Sequence, residues 1–140
     1  MPRSLPAVGQ PIHLNDILAA FTARLGEAMS LKEMAPGSAV FWMSTGSAAL
    51  TLCCQALRGS GGRGEVIMPA YTCPSLPAAA IRAGLKPVLC DTERNSFRMD
   101  LDDLSSRLGP DTRAVIAVHL LGIPERIVEI REMTQKHNIV

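Results

Sequence analysis

The residues with the clearest chemical potential are Ser44-Thr45-Gly46-Ser47-Ala48-Ala49-Leu50. They follow an apolar run, Ala39-Val40-Phe41-Trp42-Met43, and open a helical pattern from Ala48 to Arg58. A chain that turns through glycine into a helix start gathers unpaired backbone N–H groups at one point. Gly46 lets a ligand approach the backbone closely, and Ser47 adds a hydroxyl donor. The helix dipole adds attraction for negative charge, so this corner, with Ala48 beside it, suits a phosphate. A capped helix with no ligand is the competing reading of the same residues.

A second group, Pro69-Ala70-Tyr71-Thr72-Cys73-Pro74-Ser75, holds an aromatic ring, hydroxyls and a thiol within one loop. A third, Leu121 to Pro124, follows His119, and Asp91 marks a possible fourth. Loops that leave the carboxyl ends of parallel strands converge on one edge, where such sheets bind ligands. A phosphate-bearing cofactor with a flat ring could use all of them. Each residue also has a plainer role. Tyr71 could pack the strand end, His119 could be a satisfied structural histidine, and Asp91 could cap a loop. Asp100, Asp102 and Asp103 read as solvated charge at a helix start, without the alternating ligands and glycine of a calcium loop. There is no Ser-His-Asp order to propose and no P-loop lysine after the glycines.

The elements that must position these groups alternate. A helix begins near Asn15 or Asp16, with Ile17, Leu18, Phe21, Leu25 and Met29 on one face. A short strand is expected at 39–43, then the helix over 48–58 and a glycine-rich loop over 59–64. Strands follow at 65–68, 87–90 and 113–120. Between them lie helices over 74–83, closed by Gly84, and from Asp100 or Asp102 to Leu108. A helix over 124–137 leads to a strand that starts at Ile139. Strand–helix alternation with short links predicts an α/β fold, a three-layer arrangement with a parallel sheet and helices on both faces. Residues 1–13 read as an irregular arm and residues 14–140 as one domain. Val140 falls inside an apolar strand pattern, so the domain is expected to be incomplete, the front part of something longer.

Composition narrows the function classes. The 140 residues are 47% hydrophobic and 19% charged, as in a folded soluble domain. A net charge of +1 gives no footprint for nucleic acid or an anionic membrane. No leader and no membrane-spanning run is visible, which makes the cytoplasm the default location. Cys53, Cys54, Cys73 and Cys90 form no C-x-x-C pair, so neither a zinc site nor a thioredoxin-like motif is indicated.

Four blocks, in order and with natural spacing, carry a resemblance. They are Thr45-Gly46-Ser47-Ala48-Ala49-Leu50, Glu65-Val66-Ile67-Met68-Pro69-Ala70-Tyr71-Thr72, Gly84-Leu85-Lys86-Pro87-Val88-Leu89-Cys90-Asp91, and the run from Thr112 to Pro124. From about residue 15 onward the chain resembles the DegT/DnrJ/StrS family, sugar aminotransferases dependent on pyridoxal 5'-phosphate. The resemblance implies the N-terminal part of the large domain of a fold-type-I transferase. It implies that Gly46 and Ser47, with Ala48 beside them, hold the cofactor phosphate. It places Cys73 where the family often has an aromatic over the pyridine ring; a thiol cannot stack as a ring does, so a sulfur contact or Tyr71 must serve. It implies a homodimer with glutamate and a nucleotide-linked keto-sugar as substrates, in polysaccharide or amino-sugar biosynthesis. The resemblance puts the family's pyridine-nitrogen aspartate just beyond the strand that starts at Ile139 and its Schiff-base lysine further still, so neither is expected in this chain; Lys32, Lys86 and Lys136 are its only lysines and none fits. The chain alone is therefore expected to be inactive. A non-catalytic remnant, or a subunit that works with a partner, is the alternative.

Overall fold

The computed structural model describes residues 14, 15, 18, 39–58 and 64–140. Leu14, Asn15 and Leu18 are helical; the rest of that expected helix and the arm over 1–13 lie outside the described residues. The chain divides into two units, Met1–Phe41 and Trp42–Val140, and the elements below belong to the second. They are α1 (Gly46–Arg58), β1 (Glu65–Pro69), α2 (Ser75–Arg82), β2 (Lys86–Cys90), α3 (Leu101–Arg107), β3 (Thr112–Val115), a 3-10 turn (Leu120–Gly122) and α4 (Ile127–Gln135).

The sheet is parallel with strand order β2-β1-β3. Val140 extends it: its carbonyl accepts from the Val115 N–H at 2.9 Å, and its own N–H donates to the Arg113 carbonyl at 3.3 Å. The prolines fall where a ladder tolerates them. Pro87 lies in edge strand β2, and Pro69 is the last residue of central strand β1.

Alternation along β1 divides the core between the two faces. Val66 and Met68 pack with Cys54 of α1, Ala80 of α2 and Leu85. Ile67 points the other way, into Cys90, Met99, Leu104 of α3 and Ile130 of α4. Both faces of β1 are thus covered, which is why its sequence reads as a continuous apolar run. Val66, Ile67 and Met68 are fully buried, each contributing roughly 1.5–3 kcal/mol relative to exposure.

Local chemistry sets the joints. Helix α2 ends in a Schellman motif: the Leu85 N–H reaches the Ala80 carbonyl and the Gly84 N–H reaches that of Ile81, both at 2.9 Å, with Gly84 at φ 79°. Helix α3 is capped by the Asp100 carboxylate, which accepts from the N–H groups of Asp102 at 2.9 Å and Asp103 at 3.1 Å.

Two expectations are corrected. Residues 39–43 form no strand, and Val40, Phe41, Trp42 and Met43 are exposed. Their β-branched and aromatic character favours a strand only where a neighbouring strand pairs with it. The strand expected over 113–120 is shorter, Thr112–Val115. One further ladder bond, from the Ile116 N–H to the Ile67 carbonyl at 2.8 Å, continues before the chain turns through Leu121 (φ 54°) and Gly122 (φ 79°).

Candidate functional site

Parallel strands send their following loops to one edge. The loop over 70–74 leaves β1 there, the loop over 91–100 leaves β2, and the segment over 116–126 leaves β3. Helix α1 precedes β1 and must run back along the sheet. Its last residue, Arg58, lays its guanidinium against Gly84, just before β2 begins. The C-terminus of α1 therefore lies at the amino edge, and its 13 residues, about 20 Å long, carry the N-terminus towards the carboxyl edge.

At that N-terminus Thr45 is the cap: its Oγ1 accepts from the Ala48 N–H at 3.1 Å, and its carbonyl accepts from the Ala49 N–H at 3.0 Å. Thr51 donates its hydroxyl to the Ser47 carbonyl at 2.8 Å. The Gly46 and Ser47 amides and the Ser47 hydroxyl have no partner among the described residues. A Cβ built on Gly46 meets nothing within 4 Å, and its backbone is not in the left-handed region. Neither packing nor conformation inside the described chain calls for glycine there. The corner thus has two free amides, a hydroxyl, an open approach and the positive end of a 13-residue helix. That donor set fits a phosphate, with Gly46 and Ser47 as the residues to hold it and the Ala48 amide already engaged.

The β1 loop presents the other expected residues. Tyr71 is exposed and stacks on Phe97 of the β2 loop, with ring centroids 5.6 Å apart and 27° between planes. The exposed Cys73 thiol accepts from the Ser75 hydroxyl at 3.1 Å, and this bond lowers its pKa from the ordinary thiol value. The Thr72 hydroxyl is buried without a partner among the described residues. Asp91 lies past the end of β2, where its carboxylate caps the Thr92 N–H at 2.9 Å.

His119 is held by a bond to its own loop: Nδ1 accepts from the Glu125 N–H at 2.9 Å. The buried Glu125 carboxylate accepts from the Met99 N–H and the Arg126 N–H, both at 2.9 Å. Arg126 donates through Nη2 to Glu93 at 2.6 Å and to the Met99 carbonyl at 3.0 Å. Arg98 Nε donates to the Pro124 carbonyl at 3.1 Å. These contacts lock the β2 and β3 loops together. Sequence reasoning missed them, because the partners across the two loops lie 26 to 33 positions apart with no periodicity to link them. The aspartate cluster is structural: Asp103 pairs with Arg107 at 2.6 Å and accepts from the Asp91 N–H at 2.7 Å. Among the described residues no group of His, Cys, Asp or Glu is placed to hold a metal, and no helix is long and apolar enough to cross a membrane.

Comparison with known proteins gives the chain its relatives. The UDP-N-acetyl-3-dehydro-α-D-glucosamine 3-aminotransferase of Acidithiobacillus ferrooxidans is 32% identical over 96 residues, covering 69% of this chain and 26% of that protein. The dTDP-4-dehydro-2,3,6-trideoxy-D-glucose 4-aminotransferase of Saccharopolyspora spinosa is 28% identical over 101 residues, 72% of this chain and 26% of that one. Among solved structures, DesV of S. venezuelae superimposes with a TM-score of 0.62 at 29% identity, over 68% of this chain and 25% of its own. The sugar aminotransferase Spr1654 of Streptococcus pneumoniae, in its PLP form, does so at 0.60 and 31%, over 65% and 23%. The chain thus spans about a quarter of the length of the relatives it matches. The DegT/DnrJ/EryC1/StrS aminotransferase family model matches residues 30–140, and the chain belongs to that family.

Proposed function

We propose that this chain supplies the phosphate-gripping corner and part of the ring bed of an aminotransferase dependent on pyridoxal 5'-phosphate. The substrates of the whole protein are a nucleotide-linked keto-sugar and glutamate as amino donor. The observation that carries the reading is the Gly46–Ser47 corner, with free amides and an approach that no side chain fills. In this reading Gly46 and Ser47 donate to the phosphate, and Cys73 and Tyr71 lie against the ring. When bound, the cofactor supplies an electron sink for the carbon that carries the nitrogen. The sugar substrate rests on the relatives, two of which are named for nucleotide-linked dehydro-sugars.

The chain alone does not catalyse transamination in this reading. Lys86 lies at the amino edge, paired with Glu65 at 2.8 Å, and Lys136 follows α4 at the surface. Neither belongs to a loop at the carboxyl edge. A longer protein or a different partner subunit must bring the covalent anchor.

The test is a titration of the labelled chain with pyridoxal phosphate, followed by amide NMR. The Gly46 and Ser47 amides are expected to shift, phosphate-free pyridoxal to leave them unchanged, and Gly46→Val to abolish the response. Amides that stay put at millimolar ligand sink the proposal.

A further inference from the structure

The segment between β3 and α4 contains a strained turn, and one of the bonds that hold it is made by an imidazole. Leu121 has φ 54°, a region that costs a non-glycine residue roughly 1–2 kcal/mol, and Gly122 follows at φ 79°. Backbone bonds from Gly122 to the His119 carbonyl and from Ile123 to that of Leu120 shape the turn, and the bond from the Glu125 N–H to Nδ1 of His119 ties its far end to its start. A nitrogen that accepts a hydrogen bond carries no proton, so the neutral ring bears its hydrogen on Nε2. His119 is exposed, and bulk protons reach it. Protonation would set an N–H against the Glu125 N–H, two donors facing each other.

Glu125 is also where the turn meets the β2 loop. Its buried carboxylate caps Met99, Arg126 beside it bridges Glu93 and the Met99 carbonyl, and Arg98 reaches the Pro124 carbonyl. That loop carries Phe97, the ring stacked on Tyr71. A chain of named contacts therefore runs from His119 through Glu125 and the β2 loop to the aromatic pair.

We propose that His119 is a proton-sensitive positioning residue: as the neutral Nε2–H tautomer it ties Glu125 to the start of the 120–125 turn, and on protonation it frees the Glu125 end of that turn and loosens the coupled β2 loop. The proposal does not depend on the cofactor reading above. The charged groups that share the cluster are Glu93, Arg98, Glu125 and Arg126.

The experiment is amide hydrogen exchange of the chain across the imidazole range, read at Glu125 and Met99. The Leu85 amide, bonded to Ala80 at the opposite edge, serves as the internal control for global unfolding. Protection at Glu125 is expected to fall about tenfold per pH unit below the imidazole titration, as a single linked proton requires, while Leu85 stays constant. In His119→Asn the side-chain Oδ1 takes the place of Nδ1, so protection should persist and lose its pH dependence. In His119→Gln the amide sits one bond further out, and protection should be low at every pH. Wild-type protection that ignores the imidazole titration overturns the proposal, as does a His119→Asn chain that keeps the wild-type acid profile.

Discussion

The thiols show how far environment separates identical residues. Cys73 is exposed, and the Ser75 hydroxyl stabilises its thiolate, lowering its pKa. Cys90 is buried at the end of β2, and burial, with the Asp103 carboxylate nearby, pushes its pKa to about 12. Burial raises Cys54 as well, with Cys53 beside it. Since the thiolate is the nucleophile, iodoacetamide near neutral pH is expected to label Cys73 well before Cys54 or Cys90 in the folded chain. Ser75→Ala should slow the Cys73 reaction severalfold; peptide mass spectrometry over time checks both, and equal rates at Cys73 and Cys90 would contradict the assignment. The sequence sets Cys73 apart by its place after Pro69 and Tyr71. That Ser75 turns back onto it depends on the exposed turn before α2, a rotamer choice that spacing does not encode.

At the scale of elements, punctuation made the sequence legible. Apolar runs bounded by Pro and Gly locate β1, β2 and α2 to within a residue or two, because chain breakers act locally. Gly84 is the clearest case. Its φ of 79° favours a residue without Cβ, and an added Cβ would come 2.9 Å from the Arg58 guanidinium. Gly84→Ala should therefore lower stability by about 1–2 kcal/mol, read as a shift of the urea midpoint with an unchanged slope; a shift near zero would mean the Schellman turn relaxes freely. The run over 39–43 misleads, because strand character is realised only by a partner strand. The length of β3 misleads too. Its apolar run continues through Val118, but the turn pinned by His119 and Glu125 ends the strand early. The phosphate corner is readable as Gly-Ser after Thr45, whereas the cap that Thr45 makes to Ala48 shows only in the fold.

Across the whole molecule, stability should respond to acid through Asp103. The Arg107 guanidinium and then the Asp91 N–H hold its carboxylate down, at about 2 against an ordinary aspartate near 3.9. A depressed folded-state pKa means that the stabilisation is complete above the ordinary value and disappears as pH falls through about 2. Asp103 ties α3 to the end of β2, so Asp103→Asn is expected to flatten the acid limb of the stability profile over that window. Chemical denaturation at stepped pH reads it; an unchanged acid limb in Asp103→Asn would remove Asp103 from the account. The aliphatic and sulfur-rich core has a last consequence. Among the described residues no aromatic ring lies in the buried core, and the single tryptophan, Trp42, is 80% exposed. Its indole already meets water in the native state, so emission spectra will barely register the melting of this domain. Ellipticity in the peptide band, or the near-ultraviolet signal of the stacked Tyr71, must carry any unfolding curve.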